Sequence, residues 1–235
     1  MMEVEIQYQL LQPWSTFVMK TKLPPSILEK MIRITDEIVE NKETNTFEPD
    51  LGAGQLYGQF WIEYEALKQE EVMDYFLDVC RNYVIQAFCQ SAPFDKENIL
   101  KEEFMTQMTR IWINSQKDNE YFPTHIHSSA IAAVLYLKIP EYLPSRNVHE
   151  HFEEDGTIEF SNNTTQDQIW PAPYLRIQPQ VGDFFIFPAT QRHQVYPFRT
   201  ADGKGERRSV SFNAAFTSKS EQDTLRKQQE DQEAI

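Results

Sequence analysis

The sequence predicts a mainly β chain: a double-sheet jelly roll or barrel with two helices laid over one outer face. Two observations carry this. From Glu103 onward, short apolar segments recur between clusters of Pro, Gly, Asn and Asp, the punctuation of a strand-rich domain. Before Pro93, two longer segments instead repeat their apolar residues at helical spacing.

In chain order, Val4–Leu10 alternates and predicts a strand. Pro24-Pro25 introduces a helix from about Ser26 to Glu40, with Ile27, Leu28, Met31, Ile32, Ile34 and Ile38 on its apolar side. Asn41 to Gln59 is polar and holds three of the seven glycines, as a loop would. A second helix covers Gln69 to Gln90, with a stripe of Val72, Met73, Phe76, Val79, Cys80, Tyr83, Val84 and Phe88. Strands follow at Glu103–Asn114, Ala130–Ile139, Thr157–Phe160, Leu175–Gln178, Asp183–Phe187, Gln194–Phe198 and Ser209–Phe216. There is no internal repeat. Residues 1–217 read as a single domain, with the strand-rich core at about 103–216. Residues 218–235 are almost wholly polar and read as a tail that cannot bury enough surface to fold alone.

Composition narrows the setting. The 235 residues carry a formal net charge of -14, which argues against a broad phosphate-binding surface and so against duplex nucleic acid as a partner. No run approaches the roughly 18 to 20 apolar residues of a membrane span, and the opening Met1-Met-Glu-Val-Glu-Ile lacks a signal-peptide pattern. A cytoplasmic protein away from membranes is expected. Cys80 and Cys89 fall in one predicted helix, separated by about 13 Å of axial rise, too far for a disulfide; both read as reduced thiols. Oligomeric state is not legible.

Chemistry concentrates in two segments. Thr124-His125-Ile126-His127 precedes the apolar run Ile131–Ile139, and residues two apart in a strand point to the same side. His125 and His127 can therefore aim two imidazoles at one metal. His193, 66 positions after His127, closes a triangular face if the two segments lie side by side. Three protein ligands on one face leave positions open for a co-substrate and oxygen. A second H-x-H, His149 and His151 beside Glu150, Glu153, Glu154 and Asp155, lies in an unperiodic polar stretch that reads as an exposed connection. In the last strand, Arg207, Ser209, Ser211 and Asn213 share one face and Arg208, Val210 and Phe212 the other. The Arg-Ser face suits a carboxylate, through a bidentate fork and a hydroxyl. The pattern also allows it to face outward, and sequence alone leaves both orientations open.

Together these residues resemble the 2-oxoglutarate/Fe(II)-dependent oxygenases. The narrower similarity is to a mostly bacterial and phage group. It rests on H-x-H followed by a strand ending Tyr136-Leu-Lys-Ile-Pro140, on Pro179-x-x-Gly182-Asp-Phe-Phe-Ile-Phe-Pro188 leading to His193-Gln-Val-Tyr-Pro197, and on Arg207-Arg-Ser-Val-Ser-Phe-Asn213. It spans about 110 to 216; residues 1 to about 100 carry no placeable motif. The resemblance implies a double-stranded β-helix, with Fe(II) on His125, His127 and His193. It also implies that 2-oxoglutarate binds through its distal carboxylate to Arg207 and Ser209, which turns Arg207 inward, with Asn114 as a further co-substrate contact. No catalytic residue beyond the metal ligands is implied. The activity implied is that of a dioxygenase: oxygen and 2-oxoglutarate are consumed, succinate and carbon dioxide released, and a small molecule, amino acid or peptide hydroxylated. Most such oxygenases carry Asp or Glu where this chain has His127, and the narrower group often has Ser-Gly and Tyr where this chain has Ala132-Ala133 and Leu135. A cupin-like three-histidine dioxygenase without 2-oxoglutarate, and a non-catalytic metal-binding sandwich, stay open as alternatives.

Overall fold

The computed structural model describes residues 16–41, 58–91, 94–144, 154–161 and 174–233. In order these form β1 (Met19–Lys22), α1 (Pro25–Glu40), β2 (Gln59–Trp61), α2 (Tyr64–Gln69), α3 (Met73–Gln90), α4 (Lys96–Lys101) and β3 (Phe104–Lys117). There follow β4 (Phe122–His125), β5 (Ile131–Lys138), β6 (Ile158–Ser161), β7 (Tyr174–Ile177), β8 (Asp183–Pro188), β9 (His193–Val195), β10 (Glu206–Ser218) and α5 (Lys219–Glu233). The strand expected at Val4–Leu10, most of the 41–59 loop, and the His149/His151 pair lie outside the described residues.

Among the described residues, ten strands make two antiparallel sheets that are not closed into a barrel. The larger runs β1-β8-β5-β10-β3-β2 and the smaller β4-β9-β6-β7. Strands distant in sequence are neighbours, as a jelly roll requires.

The larger sheet is buried on both faces, by different means. Ala133, Leu135, Leu137, Phe184, Ile186, Val210, Phe212 and Ala214 meet the helices. Pro25 at the first turn of α1 uses a position whose N–H has no helical partner. That helix buries Met31, Ile34, Thr35 and Val39, while α3 buries Phe76, Cys80, Tyr83 and Val84. The Phe76 ring sits 5.7 Å from Phe184 and 5.6 Å from Phe212. Each such ring contributes about 1.5–3 kcal/mol by burial. The opposite face of the larger sheet, with Ala132, Val134, Tyr136, Phe185 and Phe187, packs on Ile158 and Phe160 of the smaller sheet.

Three expectations need correction. The helix expected over 69–90 starts later, as α3 at Met73, because Glu71 adopts a left-handed φ of 57° and separates it from the short α2 that ends at Gln69. The H-x-H pair is not one regular strand: β4 ends at His125, and His127 lies beyond it, fixed by its N–H donating to the Ala189 carbonyl at 2.8 Å. The polar C-terminal stretch, expected as a tail without fixed structure, forms helix α5. Its start is anchored locally: Ser218 Oγ accepts from the Glu221 N–H (3.1 Å), Lys219 pairs with Glu103 (2.8 Å), and Ser220 bonds Glu102. Both cysteines are free, with Cys80 buried and its thiol pushed up to about 12 by desolvation. Among the described residues no helix is long and apolar enough to cross a membrane.

Candidate active site

The smaller sheet brings the histidines together. His125 on β4 lies directly opposite His193 on β9, and their ring centroids are 4.2 Å apart. His127 joins from beyond β4, with centroids 5.1 Å from His125 and 5.2 Å from His193. One ring nitrogen from each lies within 4.8 Å of the others. Nearby, Ser129 Oγ donates to the Ala214 carbonyl (2.8 Å), tying the segment after His127 to β10.

The ring tautomers follow from backbone acceptors. Nδ1 of His125 lies 2.8 Å from the Pro123 carbonyl, and Nδ1 of His193 lies 2.9 Å from the Gln191 carbonyl. A carbonyl only accepts, so both Nδ1 atoms carry hydrogen and both Nε2 atoms present lone pairs. His127 Nε2 is 3.3 Å from His193 Nε2. Two ring nitrogens this close suit a cation shared between them. The walls are apolar: Phe187 is 4.8 Å from His193, Phe160 6.2 Å from it, Phe122 5.9 Å from His125, and Trp112 5.7 Å from His127. Desolvation by these walls lowers all three histidines, His127 to about 4 and His193 to about 3. The rings are thus neutral at pH 7, the form in which imidazole binds metal.

The larger sheet supplies the other half. Arg207, Ser209, Ser211 and Asn213 face the smaller sheet, while Val210 and Phe212 face the helices. Arg207 is 1% exposed, donates to the carbonyls of Gly156 (2.6 Å) and Tyr196 (3.3 Å) and to the Gln116 side chain, and lies over the Phe198 ring. Among the described residues no carboxylate pairs with it. A buried guanidinium held only by neutral acceptors is costly and suits an anion. Two phenols converge there. Tyr136 on β5 is directly across from Ser209, and Tyr142 stacks on Phe198 with centroids 5.0 Å apart. Both hydroxyls are buried and Arg207 exerts a coulombic pull on both; its guanidinium also reaches the Tyr142 hydroxyl as a side-chain partner, whereas the Tyr136 hydroxyl has none. Burial nonetheless keeps both phenols protonated at pH 7, as donors. Gly156 is required beside them, because a Cβ there would lie 2.3 Å from the Tyr142 ring.

Asn114 is directly across from Ser209 on the other side, but its amide is engaged. Oδ1 accepts from Gln59 Nε2 (2.8 Å) and Nδ2 donates to Ser211 Oγ (3.0 Å). Sequence reading missed Tyr142, Gln116 and Trp112 as site residues and left the direction of Tyr136 open. The alternation Ala132, Val134, Tyr136 is the signal for Tyr136, once Val134 is known to face the smaller sheet. Tyr142 lies past the strand, where no periodicity speaks.

Residues 110–213 match the family described as "Putative 2OG-Fe(II) oxygenase". That segment contains β4 through β9, the three histidines, Arg207, Ser209, Tyr136 and Tyr142. No curated protein sequence matches the chain significantly. Similar solved structures include a prolyl hydroxylase from Trichoplax adhaerens, in complex with a hypoxia inducible factor peptide fragment. It is 13% identical with a TM-score of 0.50, covering 84% of this chain and 81% of that one. Another is a prolyl-4-hydroxylase from Pseudomonas putida, at 15% identity and a TM-score of 0.47, covering 83% and 91%. At 13% identity the likeness to the first of these speaks to the jelly-roll fold alone. The 110–213 segment is thus similar to the 2-oxoglutarate/Fe(II)-dependent oxygenases, and it contains the three histidines that could hold a metal ion.

Proposed function

We propose that His125, His127 and His193 hold the Fe(II) this family uses. Arg207 and Ser209, with the phenols of Tyr136 and Tyr142, take the distal carboxylate of 2-oxoglutarate. The observation that carries the reading is two donor sets, both set between the same two sheets. Three neutral imidazoles bring their ring nitrogens within 4.8 Å of one another, and a buried guanidinium lies with two buried phenols. Both sets of donors fit their groups: imidazole suits iron, and Arg with hydroxyls suits a carboxylate. When bound, iron with the keto acid and oxygen supplies a two-electron oxidation; 2-oxoglutarate and O2 become succinate and carbon dioxide, and a substrate C–H becomes C–OH.

This chain's own residues do the rest. Carbonyls of Pro123 and Gln191 fix which ring nitrogens face the metal. Phe122, Phe160, Phe187 and Trp112 keep water from the rings. Gln116, Gly156 and Tyr196 hold Arg207 in place before the co-substrate arrives. Asn114 braces the strand beside Ser209, held between Gln59 and Ser211. The substrate is a small molecule, an amino acid or a peptide side chain. We place the protein in the cytoplasm, consistent with its -14 charge and two free cysteines.

The test is succinate formation from 2-oxoglutarate without a prime substrate, with and without iron and oxygen, alongside anaerobic 2-oxoglutarate titration. Succinate formation dependent on both iron and oxygen is expected. A folded, metal-loaded protein that neither binds 2-oxoglutarate nor forms succinate would overturn the reading.

A further inference from the structure

The strand pairing that sets His125 against His193 is brief. Between β4 and β9 the directly opposed residues are Phe122 with Val195 and His125 with His193, and the register shifts between these two pairs. A slip of one residue would turn a histidine to the other face of the sheet. Backbone pairing this short leaves the register of the metal group to be fixed by something else.

The outward side of the same strands carries a polar row. Ile158, Phe160 and Val195 pack inward, so alternation turns Glu159, Gln194 and Tyr196 outward. Glu159 on β6 is directly opposite Gln194 on β9 and Arg176 on β7. Its carboxylate accepts from Arg176 Nε, from Gln194 Nε2 (3.0 Å) and from the Tyr196 hydroxyl (3.0 Å). Gln194 Oε1 in turn accepts from the Thr124 hydroxyl on β4 (2.8 Å). Thr124 and Gln194 are the chain neighbours of His125 and His193. The row therefore crosses all four strands of the smaller sheet, directly behind the histidine pair. Arg176 closes its far end, paired also with Glu154 (2.8 Å) and lying over the Tyr174 ring.

We propose that Glu159 is a positioning residue for the metal group: through Gln194 and Thr124 it fixes the register in which His193 faces His125. The proposal rests on the metal assignment above. Glu159 is 6% exposed, although it lies on the side of the sheet turned away from the rings. A buried carboxylate–guanidinium pair costs desolvation that apolar residues of the same volume would avoid. What such a pair supplies in return is directional: its donors and acceptors are satisfied in one strand alignment and broken in the next. Glu159 holds partners on β7 and β9, and Gln194 carries that alignment across to β4. The row acts on the metal only through where it holds the two strands.

The experiment is Co(II) titration of the full-length protein, read by ligand-field absorption, beside urea unfolding with EDTA. The unmodified protein should bind Co(II), and His193→Ala should abolish the band. No binding by the unmodified protein would overturn the metal assignment, and this proposal with it. Gln194→Val removes the link to β4 and leaves the Glu159–Arg176 pair in place. It should weaken Co(II) about tenfold or more, the effect expected when groups that support metal ligands are lost, and alter the shape of the band. Glu159→Ala should do the same, and Glu159→Gln should recover most of the affinity, because its amide oxygen still accepts from Gln194. If Glu159→Ala does not fold, Gln194→Val decides. Val210→Ala, on the helix side of β10, controls for general loss of stability. It should unfold at lower urea yet keep Co(II) affinity within about twofold, since distant sites act independently. With the unmodified protein binding normally, an unchanged affinity and band shape in Gln194→Val would overturn the proposal alone. So would a loss of Co(II) affinity in Val210→Ala equal to that in Gln194→Val.

Discussion

The two faces of β10 are both buried, and they are buried for opposite reasons. Towards the helices, Val210, Phe212 and Ala214 meet other apolar groups, and every contact is satisfied when folding is complete. Towards the smaller sheet, Arg207 is held by neutral acceptors, and Asn213 Oδ1 and the Tyr136 phenol have no partner. One face is finished by folding, and on the proposed reading the other is finished by binding. Arg208 shows how charge is treated where no ligand is awaited. It turns to the helix side and is matched at once by Asp36 of α1 and by Glu206; burial raises both carboxyls, but hydrogen bonds and charge from Arg208 and their other partners hold both below their usual range.

Truncation on the finished face should show the largest effect. Phe212→Ala removes a ring packed on Phe76 and Phe184 and should cost about 3–5 kcal/mol in denaturant unfolding. A loss under about 1 kcal/mol would mean that this face is not the core.

The two adjacent arginines sharpen the contrast. Arg207→Ala should weaken 2-oxoglutarate by about 2–5 kcal/mol, on the order of 30-fold or more, in anaerobic titration. Arg208→Ala should instead lower stability by about 1–2 kcal/mol, allowing for the part-exposed Asp36, and leave 2-oxoglutarate affinity within about twofold. The reverse pattern would mean that the faces are misassigned.

On the smaller sheet, His127→Ala should lower Fe(II) affinity by about 100-fold, whereas His127→Asp should retain much of it, since carboxylate also suits iron. Equal iron binding by the Ala variant and the unmodified protein would remove His127 from the ligand set.

Acid should act on the unfinished face in the metal-free protein. Burial holds His127 at about 4 and His193 at about 3 in the fold. In the unfolded chain both protonate near their ordinary value of about 6.5. Between these limits the unfolded state binds more protons, so stability is full above pH 6.5 and falls as pH drops towards 4. Urea unfolding with EDTA at pH 7.5, 6 and 5 measures this above the carboxylate range; a flat profile would mean hydrated rings.

The smallest effect is expected from α5. Its described residues are almost all exposed and its anchors lie in the first turn. Ending the chain at Thr217 should move the melting temperature by no more than about 2 °C and leave iron content unchanged. A large loss in either would show that the helix supports the site.

The finished face was the easier to read from sequence. Apolar spacing located α1, α3 and the strands of the core, because periodicity reports which side of an element meets other apolar groups. The polar face of β10 was visible as Arg207, Ser209, Ser211 and Asn213, but periodicity could not say that it was inward. Two buried faces look the same as one buried and one wet when the second is polar. Spacing pointed to the three histidines that converge, yet the strand geometry invoked for His127 was replaced by the Ala189 contact beyond β4.

The direct pairing of His125 with His193 has a topological consequence. The two are 68 positions apart in the chain (193 − 125) yet opposite one another in register. An ion gripped by both closes a loop of that length, and β5, β6, β7 and β8 all lie within it. Such a clasp restricts the open chain much as a covalent crosslink would, with the entropic advantage growing slowly with loop length. Loaded protein should therefore resist proteases across the whole 125–193 span, and stripping the ion should expose linkages far from the histidines themselves.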